Sequence, residues 1–271
     1  MEKRVIITGA TGGIGKVVLR HLLGNGYVVY AACRDESRLK EFSDCMPQRL
    51  RPLMLDMESL DSAVQFCETV TDKLSGHRID MLINNAGMIA PVLENTADGY
   101  ERSLQVNYIA PKLITERLMP HIAKGGKVIN TLSCTIKNGN FVPLQKDITK
   151  DSRRESTISS LKHYSDAKYM MALFTINLAL EHKDITVCAA DPGIVNTGII
   201  TMHRWYDPLA DIFFRPFIKS SAQGARPIIN AIGFTGTNGN GKVLFFKGNK
   251  ITGLNRKFYA AAGMEKEITI L

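Results

Sequence analysis

The sequence predicts an α/β fold, a doubly wound parallel sheet of about seven strands with helices on both faces. Two observations predict it. Short apolar runs rich in β-branched residues alternate with longer amphipathic stretches almost throughout, and no internal repeat, low-complexity tract or convincing linker divides the chain. Alternation of this kind is typical of a parallel sheet covered by helices. We therefore expect a single domain over residues 1–271.

The strand candidates are short and bounded by polar or turn-forming residues; in chain order they are 5–7, 27–32, 51–55, 81–83, 127–132, 186–190 and 242–246. The amphipathic stretches between them are clearest at 17–23, 60–74, 100–119 and 168–180. Two stretches interrupt the alternation: a polar insert at about 134–162 and an irregular stretch at about 194–219. Long loops inside a compact domain are usually functional or mobile.

Composition excludes several classes of protein. The hydrophobic content of 45% is too high for a disordered chain. No apolar run approaches the roughly 20 residues that span a bilayer, and the first apolar run is too short for a signal-peptide core. We therefore expect a cytoplasmic protein.

The charge and the metal-binding residue types indicate no special partner. The net charge of +8 could serve nucleic acid or a membrane surface, but the local basic cluster, Arg153 and Arg154, is short and lacks interleaved aromatics. We expect no nucleic-acid partner. The five cysteines and six histidines show no disulfide-framework or metal-ligand spacing, so we predict no metal. Cys33 and Cys188 lie in apolar runs typical of the core.

A glycine-rich turn follows the first strand and opens a helix, with the sequence Thr8-Gly9-Ala10-Thr11-Gly12-Gly13-Ile14-Gly15. Glycines at 9, 13 and 15 let the backbone turn tightly and approach a pyrophosphate. The following helix directs its N-terminal N–H groups at that phosphate. The pattern and its context predict Rossmann-type dinucleotide binding.

The end of the second strand distinguishes the two nicotinamide cofactors. An acidic residue there favours NAD, whereas an arginine accommodates the 2′-phosphate of NADP. Arg34 occupies this place, with Arg38 nearby, so the sequence favours NADP(H) over NAD(H). Asp35 argues mildly against this; it could pair with Arg34 or begin the next helix.

Later motifs follow in a fixed order. Leu55-Asp56 follows the third strand, Asn84-Asn85-Ala86-Gly87 the fourth, then come Val106-Asn107, Ser133, Tyr164-x-x-x-Lys168 and Asp191-Pro192-Gly193. Together they resemble the short-chain dehydrogenase/reductase family over almost the whole chain. The long interval between Ser133 and Tyr164 and the turn at 33–35 look most like the retinol-dehydrogenase and protochlorophyllide-reductase-like members.

The resemblance implies an oxidoreductase with Asn107, Ser133, Tyr164 and Lys168 as catalytic residues. Tyr164 would exchange a proton with the substrate oxygen, and Lys168 would lower its pKa and hold the nicotinamide ribose. Ser133 would hydrogen-bond the substrate oxygen, and Asn107 would brace a helix kink and a proton-relaying water. Simpler roles remain open, since Ser133 could cap a turn and Asn107 could be a buried hydrogen-bonding residue.

The motif Y-x-x-x-K occurs twice, at Tyr108/Lys112 and at Tyr164/Lys168. Four residues apart on a helix places both side chains on one face. The first copy contains Pro111 and precedes Ser133, so we interpret Tyr108 as a structural aromatic.

The resemblance also implies a set of cofactor-binding residues. Asp56 would lie beside the adenine, or it could be a helix N-cap. Asn85 would lie along the cofactor, or its amide could order the turn. Thr197 would lie at the nicotinamide carboxamide, or it could be an ordinary loop hydroxyl. The complete expected set is Thr8, Gly9, Thr11, Gly12, Gly13, Ile14, Gly15, Arg34, Asp56, Asn85, Ala86, Gly87, Lys168, Pro192, Gly193 and Thr197.

The stretch at 194–219 is where the family places a substrate lid, and its aromatics would cover a bulky apolar substrate. They are Trp205, Tyr206, Phe213, Phe214 and Phe217. The expected substrate is therefore a small-molecule carbonyl or primary or secondary alcohol, retinoid-, steroid- or ketone-like. These aromatics could instead pack on the core or a partner subunit.

Other functions remain open. A 3-oxoacyl-thioester reductase would use the basic charge to dock an acidic carrier, and a non-catalytic NADP(H) sensor could share the fold. A sugar-nucleotide epimerase or dehydratase usually has a larger C-terminal domain. Apolar residues beyond one stripe on the helices at 100–119 and 168–180 suggest a homodimer or homotetramer.

Overall fold

The computed structural model describes residues 2–144, 146, 157–195, 219–238, 242–266, 268 and 270. Its strands are β1 (Arg4–Thr8), β2 (Val28–Cys33), β3 (Leu50–Met54), β4 (Ile79–Asn84), β5 (Ile122–Thr131), β6 (Thr186–Asp191), β7 (Leu244–Lys247) and β8 (Lys250–Gly253). Its α-helices are α1 (Gly13–Gly24), α2 (Lys40–Cys45), α3 (Leu60–Leu74), α4 (Arg102–Leu104), α5 (Ala110–Leu118), α6 (Thr157–Glu181), α7 (Ser221–Gly233) and α8 (Arg256–Lys266). Short 3₁₀ turns cover Glu36–Leu39, Met119–His121 and Cys134–Asn138.

The strands form one sheet in the order β3-β2-β1-β4-β5-β6-β7-β8. The first seven are parallel, and β8 pairs antiparallel with β7. This confirms the predicted doubly wound α/β sheet and adds an eighth strand at its edge. Since all four residues of β8 are exposed, β8 lacks the apolar alternation by which strands are recognised.

Apolar side chains from alternate strand positions enter two core clusters, one on each face of the sheet. Val5 and Ile7 belong to the cluster covered by α1 and α7. Ile6 belongs to the cluster covered by α3, α5, α6 and α8. Because successive side chains of a strand point to opposite faces, each buried strand contributes to both clusters.

The helices confirm the predicted patterns with two differences. The stretch predicted at 100–119 is interrupted by a π-helical turn, Gln105–Ile109, between α4 and α5. α6 begins at Thr157, inside the range expected for the polar insert, so Tyr164 lies within a long helix. In the part of the chain that the structure describes, no helix has the length and apolarity needed to cross a membrane.

The sheet order places a crevice at the carboxyl edge between β1 and β4. β1 has β2 on one side and β4 on the other, so the crossover from β1 to β2 and the crossover from β3 to β4 run in opposite directions across the sheet. In open parallel sheets, ligands bind outside the carboxyl ends of the strands at such a point. The residues singled out by the sequence follow β1, β2, β3, β4, β5 and β6 at this edge.

Candidate active site

Two glycines make the turn after β1 possible. Gly9 has a φ of +66°, and a Cβ atom there would lie 2.8 Å from the Cα atom of Ala86. A Cβ atom on Gly15 would lie 2.0 Å from the carbonyl oxygen of Gly9. The turn therefore packs directly on the end of β4 and on the first turn of α1, with no room for a side chain at either position.

The first turn of α1 presents backbone donors to the crevice. The helix begins at Gly13 without a side-chain cap, and Gly13, Ile14 and Gly15 line the crevice. The first N–H groups of an α-helix have no partner within the helix, and they lie at the positive end of its dipole. This geometry suits a phosphate group.

Hydrogen bonds join the end of β1 to the end of β4. The Thr8 hydroxyl accepts from the backbone N–H groups of Asn85 (3.1 Å) and Ala86 (3.0 Å). The Asn85 amide donates to the carbonyl oxygens of Thr8 (3.0 Å) and Gly9 (3.3 Å). Asn85 thus orders the turn, and it also lines the crevice.

The crevice has a volume of about 510 Å³, within the usual range for a small-molecule site. It is lined by most of the residues expected to bind a cofactor: Gly9, Thr11, Gly12, Gly13, Ile14, Gly15, Arg34, Asp56, Asn85, Ala86 and Gly87. Further lining residues are Ala32, Cys33, Asp35, Arg38, Leu55, Met57, Glu58, Met88, Ile89, Pro91 and Val106.

The carboxylates of Asp35, after β2, and of Asp56, after β3, accept hydrogen bonds from nearby residues of the chain. Asp35 caps the following 3₁₀ turn by accepting from the backbone N–H (3.0 Å) and hydroxyl (2.6 Å) of Ser37. These bonds lower the pKa of Asp35. Asp56 accepts from the backbone N–H of Glu58 at 3.0 Å, while Ser59 caps α3. Asp35 therefore begins the next turn rather than pairing with Arg34, and Asp56 is not the N-cap of α3.

Tyr164 and Lys168 lie on α6, beside Ser133 at the end of β5. Lys168 is 3% exposed, donates from Nζ to the carbonyl oxygen of Thr131 at 2.9 Å, and lies 5.8 Å from the centroid of the Tyr164 ring. Ser133 is buried and accepts from the backbone N–H of Thr135 at 3.3 Å, so it also caps a 3₁₀ turn.

Burial shifts both ionisable groups on α6. It raises the pKa of Tyr164 to about 12, although a hydrogen bond with Ser133 opposes the shift. It lowers the pKa of Lys168 to about 8. The pKa of Tyr164 is thus raised, and not lowered as expected for a tyrosine beside Lys168. The phenol is protonated throughout the neutral range, while the ammonium is close to titration.

Asn107 lies in the π-helical turn and is buried. Its amide nitrogen donates to the carbonyl oxygens of Met88 (2.7 Å) and Ser103 (2.8 Å). A Cβ atom placed on Gly87 would lie 2.8 Å from Asn107 Oδ1 and 3.4 Å from Lys168 Nζ. Gly87 therefore brings Asn107 and Lys168 to the wall of the crevice without a side chain of its own.

The first Y-x-x-x-K copy lies away from the crevice. Tyr108 and Lys112 are buried and donate to the Glu265 carboxylate on α8, at 2.7 and 2.9 Å. Asn177 of α6 donates to the other carboxylate oxygen at 2.7 Å. The first copy therefore connects α5 and the turn before it to α8, which is a structural role.

The remaining expected residues are separate from the crevice or outside the described part. Pro192 and Gly193 follow β6 and are not among the lining residues described. Lys219 donates from its backbone N–H to Ile194 O (2.9 Å) and from Nζ to Pro192 O (3.1 Å), which joins the two ends of the expected lid. The residues outside the described part are Thr197, Trp205, Tyr206, Phe213, Phe214 and Phe217.

One charged pair at the crevice was missed by the sequence reasoning. Glu58 lines the crevice, contacts Arg34 and is paired with Arg102, 44 positions further along the chain. The signal available was a second acid two residues after Asp56. The backbone N–H of Leu60, the first residue of α3, donates to Asp98 at 2.9 Å, which holds the segment before α4 beside α3.

Comparison with known proteins agrees with this geometry. Residues 3–143 match the short chain dehydrogenase family. The chain is 32% identical over 233 residues to retinol dehydrogenase 12 of Homo sapiens, covering 83% of this chain and 71% of the relative. It is 30% identical over 254 residues to retinol dehydrogenase 14 of Homo sapiens, covering 84% and 73%.

A solved structure of a short chain dehydrogenase from Burkholderia cenocepacia J2315 in complex with NADP superposes with a TM-score of 0.69 and 21% identity. The match covers 91% of this chain and 96% of that chain. The structural likeness supports the fold, and the sequence similarity confirms the resemblance to retinol dehydrogenases. The chain belongs to the short-chain dehydrogenase/reductase family of oxidoreductases.

Proposed function

We propose that the chain is an NADP(H)-dependent oxidoreductase that interconverts a carbonyl group and an alcohol on a bulky apolar substrate. The observation that carries the proposal is the convergence of Ser133, Tyr164 and Lys168 at the carboxyl edge of the sheet, with Lys168 Nζ reaching the crevice wall at Gly87. A dinucleotide crevice beside a partly buried tyrosine and a buried lysine suits hydride transfer coupled to proton transfer.

The residues of the crevice fit a dinucleotide. The turn at Gly9 and Gly15 has no space for Cβ atoms, so its backbone is open to a pyrophosphate, which the first N–H groups of α1 would bind. Arg34, exposed at the end of β2, would bind the 2′-phosphate. When bound, NADP(H) supplies or accepts the hydride.

Tyr164 would be the proton donor in carbonyl reduction. Its pKa of about 12 keeps the phenol protonated near neutral pH. Ser133, whose interaction with Tyr164 opposes the rise of the Tyr164 pKa, would donate to the same substrate oxygen and stabilise the negative charge that develops there. The substrate oxygen would therefore lie between the two hydroxyl groups.

Lys168 would stabilise the tyrosinate that forms when Tyr164 gives up its proton. Its ammonium lies within 5.8 Å of the phenol ring, and an opposite charge at this range favours the ionised form. Asn107, which approaches the same wall, would place a proton-carrying water next to Lys168. Lys168 would also bind the ribose hydroxyls of the nicotinamide half.

Two observations support an apolar substrate. The relatives are named for retinol, which is an apolar alcohol. The stretch expected to cover the substrate contains Trp205, Tyr206, Phe213, Phe214 and Phe217. We also propose that 1–271 is one oxidoreductase domain with a substrate lid at about 194–219, since the ends of that stretch are joined through Lys219 and Ile194.

Tyr164→Phe tests the proposal. Following NADPH and NADH absorbance with a panel of apolar aldehydes and ketones, we expect wild-type turnover that prefers NADPH. Turnover should fall about 10²- to 10⁴-fold in Tyr164→Phe, the usual contribution of a general acid. Tyr169→Phe makes the same change on the same helix, at a tyrosine that packs on Phe258, and should keep its activity. Unchanged turnover in Tyr164→Phe would contradict the proposed role, and preference for NADH would contradict the proposed cofactor.

A further inference from the structure

Four charged side chains of alternating sign form a chain that begins at two lining residues of the crevice, Arg34 and Glu58. Arg34 Nη1 lies 3.3 Å from Glu58 Oε1. Arg102 contacts both carboxylate oxygens of Glu58, with Nε at 2.8 Å from Oε2 and Nη2 at 3.0 Å from Oε1. Arg102 also pairs with Glu94. Two guanidinium groups thus share the Glu58 carboxylate.

The two arginines hold Glu58 unequally. Arg102 makes two short contacts, and its side chain is 27% exposed. Arg34 makes one longer contact, and its side chain is 67% exposed. A single exposed contact contributes little stability. Arg102 instead adds to one hydrogen bond at 3.0 Å a second charge contact at 2.8 Å, and its side chain is the less exposed of the two. Arg34 is therefore the partner that can leave Glu58 for another anion.

Glu58 is the acid that opposes an anion at this end of the crevice. The charged lining residues described are Arg34, Arg38, Asp35, Asp56 and Glu58, two positive and three negative. Asp35 and Asp56 accept hydrogen bonds from Ser37 and from the backbone of Glu58, which stabilise them where they are. Glu58 instead engages the guanidinium on which a 2′-phosphate would depend. Arg102, which is not among the lining residues described, is the second cation in contact with Glu58.

We propose that Glu58 and Arg102 set the preference between NADP(H) and NAD(H). Glu58 competes with the 2′-phosphate for Arg34, and Arg102 weakens that competition by neutralising and orienting the carboxylate. Arg102 is thus a positioning residue that acts through Glu58. This inference rests on the proposed function, in which the crevice binds a nicotinamide dinucleotide and Arg34 binds its 2′-phosphate.

The test compares two nucleotides that differ only by the 2′-phosphate. Binding of 2′,5′-ADP and of 5′-AMP is measured by calorimetry, and the ratio of the two affinities isolates the contribution of the 2′-phosphate. Glu58→Gln should raise this ratio and Arg102→Gln should lower it, each by about two- to fivefold, the range of a partly exposed charge pair. The double variant should stay within about twofold of Glu58→Gln, because the Glu58 carboxylate through which Arg102 acts is already absent.

Glu41→Gln is the matched control. It removes the same charge from an ion pair with Arg20 whose side chains are 60% and 65% exposed, and neither residue is among those lining the crevice. Its affinity ratio should equal that of the wild type. Thermal denaturation shows whether each variant is folded. If Arg102→Gln does not fold, the inference is judged by whether Glu58→Gln raises the affinity ratio.

The outcomes separate this inference from the proposed function. A wild-type preference for 2′,5′-ADP that Glu58→Gln leaves unchanged overturns the inference and keeps the cofactor proposal. If Arg102→Gln lowers the affinity ratio equally in the wild type and in Glu58→Gln, Arg102 does not act through Glu58 and the positioning role is overturned. A wild type without preference that gains one in Glu58→Gln contradicts the proposed cofactor preference and supports the competition at Glu58.

Discussion

Gly15 lies in the first turn of α1, where the helix meets the turn after β1. Gly15→Ala would place a Cβ atom 2.0 Å from the carbonyl oxygen of Gly9, so the helix must move away from the turn. We expect loss of dinucleotide binding, with a stability loss of about 1–3 kcal/mol, as for overpacking in a close-packed region. Calorimetric binding of 2′,5′-ADP and urea denaturation measure the two effects.

Gly24, at the other end of the same helix, provides the matched control for this prediction. A Cβ atom there meets no atom within 4 Å. Gly24→Ala should bind nucleotide like the wild type and gain up to about 1 kcal/mol, since alanine has the higher helix propensity. Equal behaviour of the two variants would show that the close contact at Gly15 does not matter.

Lys168 should lower the free energy of unfolding, because its ammonium group is buried in the site. Burial lowers its pKa from 10.5 to about 8, which corresponds to roughly 3 kcal/mol of destabilisation when the side chain is charged in both states. Lys168→Met removes this cost and also removes the hydrogen bond to Thr131, worth about 1 kcal/mol. We expect the variant to be about 2 kcal/mol more stable at pH 7 and to lose its activity.

The stability gain expected for Lys168→Met depends on pH. Below pH 8 both states bind the Lys168 proton, so the gain in Lys168→Met is largest there. Between pH 8 and 10.5 the unfolded state binds more protons than the folded state, so the wild type recovers and the gain shrinks. Lys162→Met, at a half-exposed lysine of α6, should change stability by less than about 1 kcal/mol. A gain that grows above pH 8 would contradict the argument.

A buried carboxylate on α8 connects this helix to α5, α6 and the π-helical turn. Glu265 is 1% exposed and accepts from Tyr108, Lys112 and Asn177. Glu265→Leu leaves the Lys112 ammonium with only the half-exposed Glu116 as an acidic partner among the contacts described. We expect a loss of about 3–5 kcal/mol, measured by urea denaturation. Adding Lys112→Met should restore part of it.

An exposed ion pair between α8 and α6 provides the control. Lys266 and Glu181 lie 2.9 Å apart, and both side chains are about half exposed. Glu181→Leu should cost less than about 1 kcal/mol, because solvent screens an exposed pair. If Glu181→Leu costs as much as Glu265→Leu, burial is not what makes the Glu265 carboxylate important.

The apolar residues of α6 beyond one core-facing stripe are explained in part by its packing against another helix. The sequence suggested that it faced a second copy of the chain. In the structure, α8 packs on α6, with the rings of Tyr169 and Phe258 5.2 Å apart and Ala262 buried in the same cluster. The same chain therefore covers part of this surface, and the excess of apolar residues does not by itself require a partner subunit.

Elements with a strong periodic pattern could be predicted, and those held by tertiary contacts could not. The bounds of α3 follow its apolar spacing closely. α7 contains Gly224 and Pro227, which weaken any helix pattern, yet Ala225, Ile228 and Ala231 are buried on its inner face. Its end is held by a distant residue of β5, since Lys127 Nζ donates to the carbonyl oxygens of Ala231, Ile232 and Phe234. Short-range sequence gives no sign of such a contact.

The same distinction holds for the site. The turn at 8–15 and the Tyr164–Lys168 spacing are local patterns, so their places at one sheet edge could be predicted. Arg102 reaches Glu58 across 44 positions of chain, and only the packed structure brings them together. The hydrogen bonds that Asp35 and Asp56 accept within their own turns likewise depend on turn geometry, which composition does not reveal.

At the scale of the whole molecule, the crevice joins segments that are far apart in the chain. Its walls come from the turn after β1, the ends of β2 and β3, and the end of β4, and the Thr8–Asn85 hydrogen bonds span 77 positions. A ligand in the crevice therefore contacts parts that separate on unfolding. Binding to the folded state alone stabilises it in proportion to the logarithm of ligand concentration.

We expect NADPH at 100 times its dissociation constant to add about 2.7 kcal/mol of stability, a rise in Tm of roughly 5–10 °C. NADH at the same concentration should give a smaller rise, because it lacks the group that Arg34 would bind. Tyr164→Phe should keep the NADPH shift while losing turnover, since its hydroxyl acts on the substrate, and Gly15→Ala should lose the shift. Differential scanning calorimetry with each cofactor measures this. A Tm that neither cofactor moves would show that the crevice does not bind a nicotinamide dinucleotide, whatever the arrangement of Ser133, Tyr164 and Lys168.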